Sequence, residues 1–291
     1  MRYEGTVYRP PSEAYSLLIQ ASIGCPHNKC TFCSMYKGTK FRLRTVEEIK
    51  EDLVAARDYY GEHINSLFFP DGNTIIMKTE RLVEILNYAR QLFPYLQRIT
   101  VYGSARFVDR KSDEELKQLK EAGLSRIHTG MESGDDTTLE KIKKGTTSEQ
   151  IISAGLKLKK AGIEVSEYYL TGVGGLERSY EHALNSARTL SAFSPDFIRI
   201  RTLVPYPGSP LYEDYRNGNF TLLNAHQALQ ELRTLVENLE CENSVVLSDH
   251  VANYWNVQGK LPQDKAEMLA SIDYALTLDK STFRPPHLSR L

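Results

Sequence analysis

The chain has 291 residues, of which 41% are hydrophobic and 25% charged; these values are ordinary for a globular protein and exclude a disordered or fibrous one. A chain of this length can bury a large core, and α/β barrels commonly reach this size as one domain. The formal net charge of -1 gives no general attraction to nucleic acid, so we expect no nucleic-acid partner.

Short runs rich in β-branched and aromatic residues alternate with amphipathic helical patterns. This alternation predicts repeated strand–helix units and a parallel sheet, either rolled into an incomplete barrel or lying open as a doubly wound sheet. The predicted strands are Tyr15–Ala21, Ser66–Phe69, Ile99–Gly103, Arg126–Met131, Glu164–Thr171 and Phe197–Leu203, with a further candidate at Ser244–Leu247.

Four helix starts carry a Ser or Thr followed three positions later by Glu or Gln. These pairs can cap a helix reciprocally, each side chain accepting from the other's backbone amide. They are Thr45/Glu48, Ser112/Glu115, Thr137/Glu140 and Thr147/Gln150.

No apolar run approaches the roughly 20 residues that a membrane span needs, and the first residues lack the apolar core of a secretory signal. Three of the four cysteines are clustered rather than spread as a disulfide framework, which is typical of metal binding or catalysis in a reducing compartment. We therefore expect a cytoplasmic protein without a membrane anchor.

The clustered cysteines, Cys25, Cys30 and Cys33, directly follow the first predicted strand in a C-x4-C-x2-C pattern. Thiolates suit zinc and iron–sulfur clusters. Structural zinc needs a fourth protein ligand, which only His27 offers nearby. A four-iron cluster held by three cysteines instead leaves one iron open to a small molecule.

The cysteine loop, with aromatic Phe32 before the last cysteine, resembles that of the radical S-adenosylmethionine (radical SAM) superfamily, although the first spacing is one residue longer than the strict motif. The segments Pro70–Asn73 and Gly130–Asp136 are similar to those that bind the SAM amino group and ribose, with Glu132 in the ribose role. Oxygen-independent coproporphyrinogen III oxidase and the Elongator catalytic subunit are the relatives with this core. Each segment alone could be an ordinary turn or cap, but they occur in superfamily order after successive strands.

The resemblance implies an incomplete (β/α)6-type TIM barrel over residues 1–220, with a C-terminal extension over residues 221–291. It also implies a [4Fe-4S] cluster on the three cysteines, with SAM on its open iron. The predicted cofactor-binding residues are Phe32, Asp71, Gly72, Asn73, Ser104, Arg106, Glu132, Ser133, Lys144, Tyr168 and Arg201.

By this resemblance, reductive cleavage of SAM yields a 5′-deoxyadenosyl radical that abstracts hydrogen from a small-molecule substrate. Catalytic candidates near that carbon are Tyr102, His128 and Tyr168, each of which could equally serve in packing. A non-catalytic carrier resembling haem chaperones and a zinc-binding structural protein remain alternatives. The lone Cys241 and the lack of a recognisable cobalamin domain disfavour auxiliary-cluster and cobalamin chemistry.

Two further segments could take part in binding. The run Lys37–Arg44 has cations at alternating positions, which in an extended chain would face one way and could bind an anionic ligand or an acidic electron donor such as flavodoxin or ferredoxin. The polar and aromatic segment around Asp249, His250 and Trp255 could line the substrate pocket, with Asp249 fixing the tautomer of His250. A solvated charged face and a surface cap are the simpler alternatives.

Overall fold

The computed structural model describes residues 1–283. The strands are β1 Leu17–Leu18, β2 Ser22–Ile23, β3 Arg42–Leu43, β4 Ser66–Phe69, β5 Arg98–Gly103, β6 Leu124–Glu132, β7 Glu164–Thr171, β8 Phe197–Thr202, β9 Val245–Leu247 and β10 Gln258–Lys260. The α-helices are α1 Val46–Tyr60, α2 Thr79–Leu92, α3 Ala105–Val108, α4 Asp113–Glu121, α5 Asp136–Lys141, α6 Ser148–Lys160, α7 Ser179–Ser191, α8 Pro210–Arg216, α9 Ala225–Asn238 and α10 Lys265–Leu276.

The chain forms two compact units. The first comprises Met1–Asn28, Gly38–Thr129 and Leu156–Val165. The second comprises Lys29–Lys37, Gly130–Gly155 and the chain from Ser166. The cysteine loop and strands β6 and β7 therefore each contribute residues to both units.

In the first unit, β1, β4, β5 and the start of β6 pair in parallel, in that order. Leu67, Phe68 and Phe69 of β4 are completely buried. Such a continuous apolar run is typical of a parallel strand covered on both faces. The carboxyl ends of these strands lead into the loops that carry the predicted site residues of this unit.

In the second unit, β7 pairs in parallel with β8 and β8 with β9, while β10 closes the series antiparallel to β9. Helix α9 packs against both α7 and α10. The strand predicted at Ser244–Leu247 is confirmed as β9. The long strand predicted at Tyr15–Ala21 is wrong in extent, because Tyr15 is fully exposed and only Leu17 and Leu18 pair with β4.

Reciprocal caps begin three helices as predicted, with the pairs Thr45/Glu48, Ser112/Glu115 and Thr147/Gln150. The cap predicted at Thr137/Glu140 is wrong. Helix α5 begins earlier, because the Asp135 carboxylate accepts from the backbone amide of Thr138 and supplies the N-cap. Among residues 1–283, no helix combines the length and apolarity needed to cross a membrane.

Candidate functional site

The three clustered cysteines lie on the irregular loop after β2, each partly buried and none in a disulfide bond. The backbone amide of Asn28 donates to the sulfur of Cys25 at 3.5 Å. Within residues 1–283, no three His, Cys, Asp or Glu side chains are grouped so that they could hold a metal ion. The assignment of Cys25, Cys30 and Cys33 as cluster ligands therefore remains a prediction.

Gly72, after β4, packs directly on the cysteine loop in the first unit. A Cβ at this position would lie 2.7 Å from Cys25 Cβ, 2.9 Å from Cys25 Cα and 2.9 Å from the Gly24 carbonyl oxygen. The amide of Gly72 also donates to that Gly24 oxygen at 3.0 Å. Only glycine allows this approach, so the strand exit and the first cysteine are held together by backbone contact.

Asp71 is 1% exposed and has a φ of +74°, a left-handed conformation that is uncommon for a residue other than glycine. Its carboxylate accepts a hydrogen bond of 2.7 Å from the side-chain amide of Gln20. The next site residue, Asn73, donates through its side-chain amide to Ser104 Oγ at 3.0 Å. The first bond joins the loop after β4 to the segment after β1, and the second joins it to the loop after β5, as the parallel-sheet prediction requires.

The Oδ1 atom of Asn73 is a buried acceptor with no hydrogen-bond partner among residues 1–283, and the hydroxyl of the neighbouring Thr74 is in the same situation. Buried polar atoms are nearly always paired, so these two atoms are suited to a bound donor. The amino group that SAM presents to this superfamily segment is such a donor. Together with the thiol of Cys25 on the adjoining loop, these atoms fit the predicted cluster and SAM.

The three predicted catalytic side chains differ in exposure. His128 on β6 is completely buried, and its Nε2 atom donates to the buried carboxylate of Glu13 at 3.2 Å. Burial raises the pKa of Glu13, but hydrogen bonds from His128 and Ser16 outweigh this effect and hold the pKa below its usual value. Tyr102 and Tyr168 are partly buried, and the ring of Tyr102 lies 5.8 Å from that of His128.

In the second unit, the backbone of Thr31, which lies between Cys30 and Cys33, is hydrogen-bonded through both its amide and its carbonyl group. The amide of Thr31 donates to the carbonyl oxygen of Ile142, and the carbonyl of Thr31 accepts from the amide of Leu211, both at 2.9 Å. Phe32 packs on a buried apolar cluster that comprises Ile142, Leu170, Val173, Leu203 and Leu211. The cluster joins the segments after α5, β7 and β8, so Phe32 fixes the cysteine loop on three cofactor segments at once.

Glu132 and Lys144 form an ion pair beside Phe32. Glu132 Oε1 lies 3.0 Å from Lys144 Nζ, and the two side chains are only 16% and 12% exposed. The ammonium group also lies 5.7 Å from the centre of the Phe32 ring. Glu132 adopts a φ of +63°, which turns the chain sharply at the end of β6. A carboxylate and an ammonium group are thus adjacent to the cysteine loop.

Two buried carboxylates hold further segments of the second unit in place. Glu231 on α9 accepts from the amide of Gly172 at 2.7 Å and from the hydroxyl of Tyr169 at 2.9 Å. Asp135 accepts from Arg178 at 3.0 and 2.9 Å. Neither acid was predicted as a site residue, because each lies far along the chain from its partners and local sequence carries no signal for the contacts.

Other predicted residues lie near the exits of their strands. Ser104 and Arg106 flank the start of α3, and Arg201 is the penultimate residue of β8. Arg201 lowers the pKa of His250, although burial is the larger cause, and together they bring that pKa to about 4. The tautomer of His250 is set by the backbone amide of Ala252, which donates to Nδ1 at 3.1 Å, rather than by Asp249.

The interpretation of Lys37–Arg44 as a single exposed cationic face is wrong. Arg44 is 4% exposed and its guanidinium group lies 2.6 Å from the carboxylate of Asp52. Arg42 pairs with Glu4 and, at 3.6 Å, with Glu48. Both arginines are therefore paired with acids within the first unit, and the run does not form one exposed cationic face.

Comparison with known proteins agrees with this geometry. The family model described as the radical SAM superfamily matches residues 19–190. An uncharacterized methyltransferase of Pyrococcus horikoshii is 31% identical over 209 residues, which cover 71% of this chain and 43% of that protein. The chain thus spans less than half the length of this curated relative.

Two solved structures show the same fold. The crystal structure of methylornithine synthase superposes with a TM-score of 0.55 at 20% identity, covering 88% of this chain and 68% of that one. Coproporphyrinogen III oxidase from Escherichia coli, titled a radical SAM enzyme, superposes with a TM-score of 0.59 at 15% identity, covering 76% and 51%. Both confirm the predicted α/β fold with its mostly parallel strands.

The fold is of the mostly parallel α/β class that these two solved structures share. The chain belongs to the radical SAM superfamily. The predicted superfamily, enzyme class and cofactors, a [4Fe-4S] cluster and SAM, are thereby confirmed.

Proposed function

We propose that this protein cleaves SAM reductively and uses the resulting 5′-deoxyadenosyl radical to abstract hydrogen from a small-molecule substrate. The observation that carries the proposal is the Glu132–Lys144 ion pair, which lies against Phe32 on the cysteine loop. When held by Cys25, Cys30 and Cys33, a cluster with an open iron would supply the electron needed to split SAM into methionine and a 5′-deoxyadenosyl radical.

The protein's own residues bind and orient SAM in this proposal. The amide oxygen of Asn73 accepts from the amino group, Lys144 pairs with the carboxylate, and Glu132 accepts from the ribose hydroxyls. Lys144 can exchange Glu132 for the SAM carboxylate because both side chains retain some exposure. Charge-assisted hydrogen bonds of this kind are the stronger ones, and they hold the reacting carbon in a fixed place.

Substrate hydrogen abstraction leaves a substrate radical whose fate depends on nearby donors. Tyr102 on β5 and Tyr168 on β7 are our candidates for a hydrogen-atom donor. We propose a low-potential electron donor of the flavodoxin or ferredoxin type as a partner.

The test is anaerobic reconstitution with iron and sulfide, followed by reduction with dithionite in the presence of SAM. We expect cluster absorbance, a SAM-dependent change in the cluster's electron paramagnetic resonance spectrum, and formation of 5′-deoxyadenosine with methionine. Cys30→Ala is expected to abolish all three, whereas Cys241→Ala, a buried cysteine outside the motif, is the matched control. Equal iron loading and SAM cleavage in Cys30→Ala would refute the proposal.

The likeness to an uncharacterized methyltransferase supports methyl transfer as a second candidate function. The two candidates differ in their products. Transfer of the SAM methyl group releases S-adenosylhomocysteine, while hydrogen abstraction releases 5′-deoxyadenosine. Binding of SAM with a spectral change but with neither product would instead support a carrier.

A further inference from the structure

Glu231 is a buried acid for which the proposed chemistry has no use, yet it is 2% exposed and surrounded by donors. Its Oε1 atom accepts from Gly172 N at 2.7 Å and Tyr169 OH at 2.9 Å, and its Oε2 atom accepts from Ser179 OH at 2.6 Å. Burying a carboxylate costs free energy unless its oxygens are hydrogen-bonded, and here both are. The acid therefore holds the segment that follows β7.

His182 on α7 extends this contact to a second segment. Its Nε2 atom faces two acceptors, the carbonyl oxygen of Leu170 at 3.2 Å and Glu231 Oε1 at 3.4 Å. Burial lowers the pKa of His182, so the ring is neutral, and its single proton lies on Nε2. The ring is also stacked on Tyr169 with 4.6 Å between ring centres, which fixes its orientation.

The other ring nitrogen then has a defined role. Nδ1 carries no proton, so the hydroxyl of Ser133, 2.8 Å away, donates to it. The same hydroxyl accepts from the amide of Asp135 at 3.0 Å. Ser133 is completely buried and directly follows Glu132, the residue whose φ of +63° turns the chain.

We propose that Glu231 and His182 are positioning residues for SAM, with Glu231 holding Gly172 directly and His182 holding Ser133, so that Glu132 is kept in its turned conformation. This inference rests on the proposed function. This series of contacts runs from the carboxylate of Glu231 to the imidazole of His182 and the hydroxyl of Ser133. It connects the segments after β6 and β7. Neither Glu231 nor His182 need touch SAM.

Ser133→Ala is the sharpest test, because it removes one hydroxyl and leaves Glu231 and the stacked rings in place. Ser191→Ala is its matched control. Ser191, on α7, also donates to a carbonyl, that of Ala187 at 2.7 Å, and accepts a backbone amide, that of Glu240 at 2.8 Å. Each variant thus loses one donated and one accepted hydrogen bond.

SAM affinity of the reconstituted protein is measured from the SAM-dependent change in the cluster spectrum, and melting temperature is measured in parallel. We expect Ser133→Ala to weaken SAM binding at least fivefold and Ser191→Ala to change it less than twofold, with similar falls in melting temperature. Equal affinity in the two variants would overturn the inference. No spectral change in the unaltered protein would instead overturn the proposed function.

Variants of the acid provide a second arm. Glu231→Gln keeps an oxygen for the amide of Gly172, whereas Glu231→Leu removes it, so affinity should fall in the order unaltered protein, Gln, Leu. In Ser133→Ala combined with Glu231→Gln, the loss should be smaller than the product of the separate losses, because Glu231 and Ser133 both contact His182. If the two losses of affinity multiplied independently, the proposed series of contacts would be contradicted. If Glu231→Leu fails to fold, Ser133→Ala and Glu231→Gln still provide the test.

The tautomer of His182 is readable without any cofactor. Nitrogen-15 spectra of the imidazole in the unaltered protein should show a proton on Nε2 and a bare Nδ1 from pH 6 to pH 8, a range chosen around the ordinary histidine pKa of about 6.5. A proton on Nδ1 would mean that Ser133 does not donate to the ring, and the inference would fail.

Discussion

The side-chain amide of Gln20 donates a hydrogen bond of 2.7 Å to the carboxylate of Asp71, although 51 positions separate the two residues. The same amide group donates to the carbonyl oxygen of Glu4 at 3.1 Å, and the amide of Glu4 donates to Gln20 Oε1 at 2.8 Å. Gln20 therefore ties the left-handed turn after β4 to the amino-terminal segment.

Gln20→Ala should lower the free energy of unfolding by about 1–3 kcal/mol, because the buried carboxylate of Asp71 and the backbone groups of Glu4 lose their partner. Gln20→Glu should cost more, since it places a second carboxylate against that of Asp71. Urea unfolding measures both. Gln97→Ala, at an exposed position, is the control and should stay within about 0.5 kcal/mol. A loss in Gln20→Ala no larger than in the control would show that the bond contributes nothing.

Gly72→Ala should impair cluster loading. The added methyl group would meet Cys25 Cβ at 2.7 Å and the Gly24 carbonyl oxygen at 2.9 Å, so the cysteine or the strand exit must move. We expect less iron per protein after anaerobic reconstitution, measured by chemical iron analysis. In Gly38→Ala, the control, the methyl group meets nothing within 4 Å and only the positive φ of +81° adds strain. Equal iron content in the two variants would contradict close packing as the cause.

Sequence patterns predicted the parallel strands and most helix caps, because hydrophobic period and capping chemistry are local. The candidate cofactor segments come from the superfamily resemblance and stay predictions. The contacts that hold those segments, such as Gln20 with Asp71 and Glu231 with Gly172, could not be predicted. They join residues tens of positions apart, and which surface glutamine or helical glutamate turns inward depends on packing that no local pattern encodes. The prediction of one cationic face over Lys37–Arg44 was wrong for the same reason, because Asp52, the partner of Arg44, lies on another element, α1.

Asp135 makes stability depend on acid pH. Burial raises its pKa, but hydrogen bonds from Arg178, Thr138 and Asn185 outweigh burial and hold the pKa far below the ordinary value of about 3.9. A carboxylate with a lowered folded-state pKa stabilises the fold above the unfolded-state pKa, and that contribution is lost as pH falls towards the folded-state value.

Asp135→Asn should therefore destabilise the protein at pH 7, by about 1–3 kcal/mol, while still capping α5, because asparagine is also a good N-cap. The difference in free energy of unfolding between the unaltered protein and Asp135→Asn should shrink as pH falls below 4. Denaturant unfolding from pH 7 to pH 3 measures it. A difference that stays constant over this range would show that the charge of Asp135 does not stabilise the fold.

His250 gives a second pH dependence, in a different window. Its pKa lies at about 4 because of burial and the nearby charge of Arg201, whereas an unfolded-state histidine has a pKa of about 6.5. Between these values the unfolded chain binds a proton that the folded protein does not. Stability is thus unaffected above pH 6.5 and declines as pH falls towards 4, by on the order of 1–3 kcal/mol.

His250→Asn should flatten that decline. The asparagine oxygen can accept from the backbone amide of Ala252, as Nδ1 of the histidine does at 3.1 Å, so the loop keeps its bond while the titrating group is removed. Unfolding free energies of both proteins at pH 7 and pH 5 measure the change in slope. Proton NMR titration of the unaltered protein should place the His250 midpoint near 4, and Arg201→Gln should raise it by removing the neighbouring positive charge. A midpoint near the unfolded value, or equal slopes in the two proteins, would contradict the assignment.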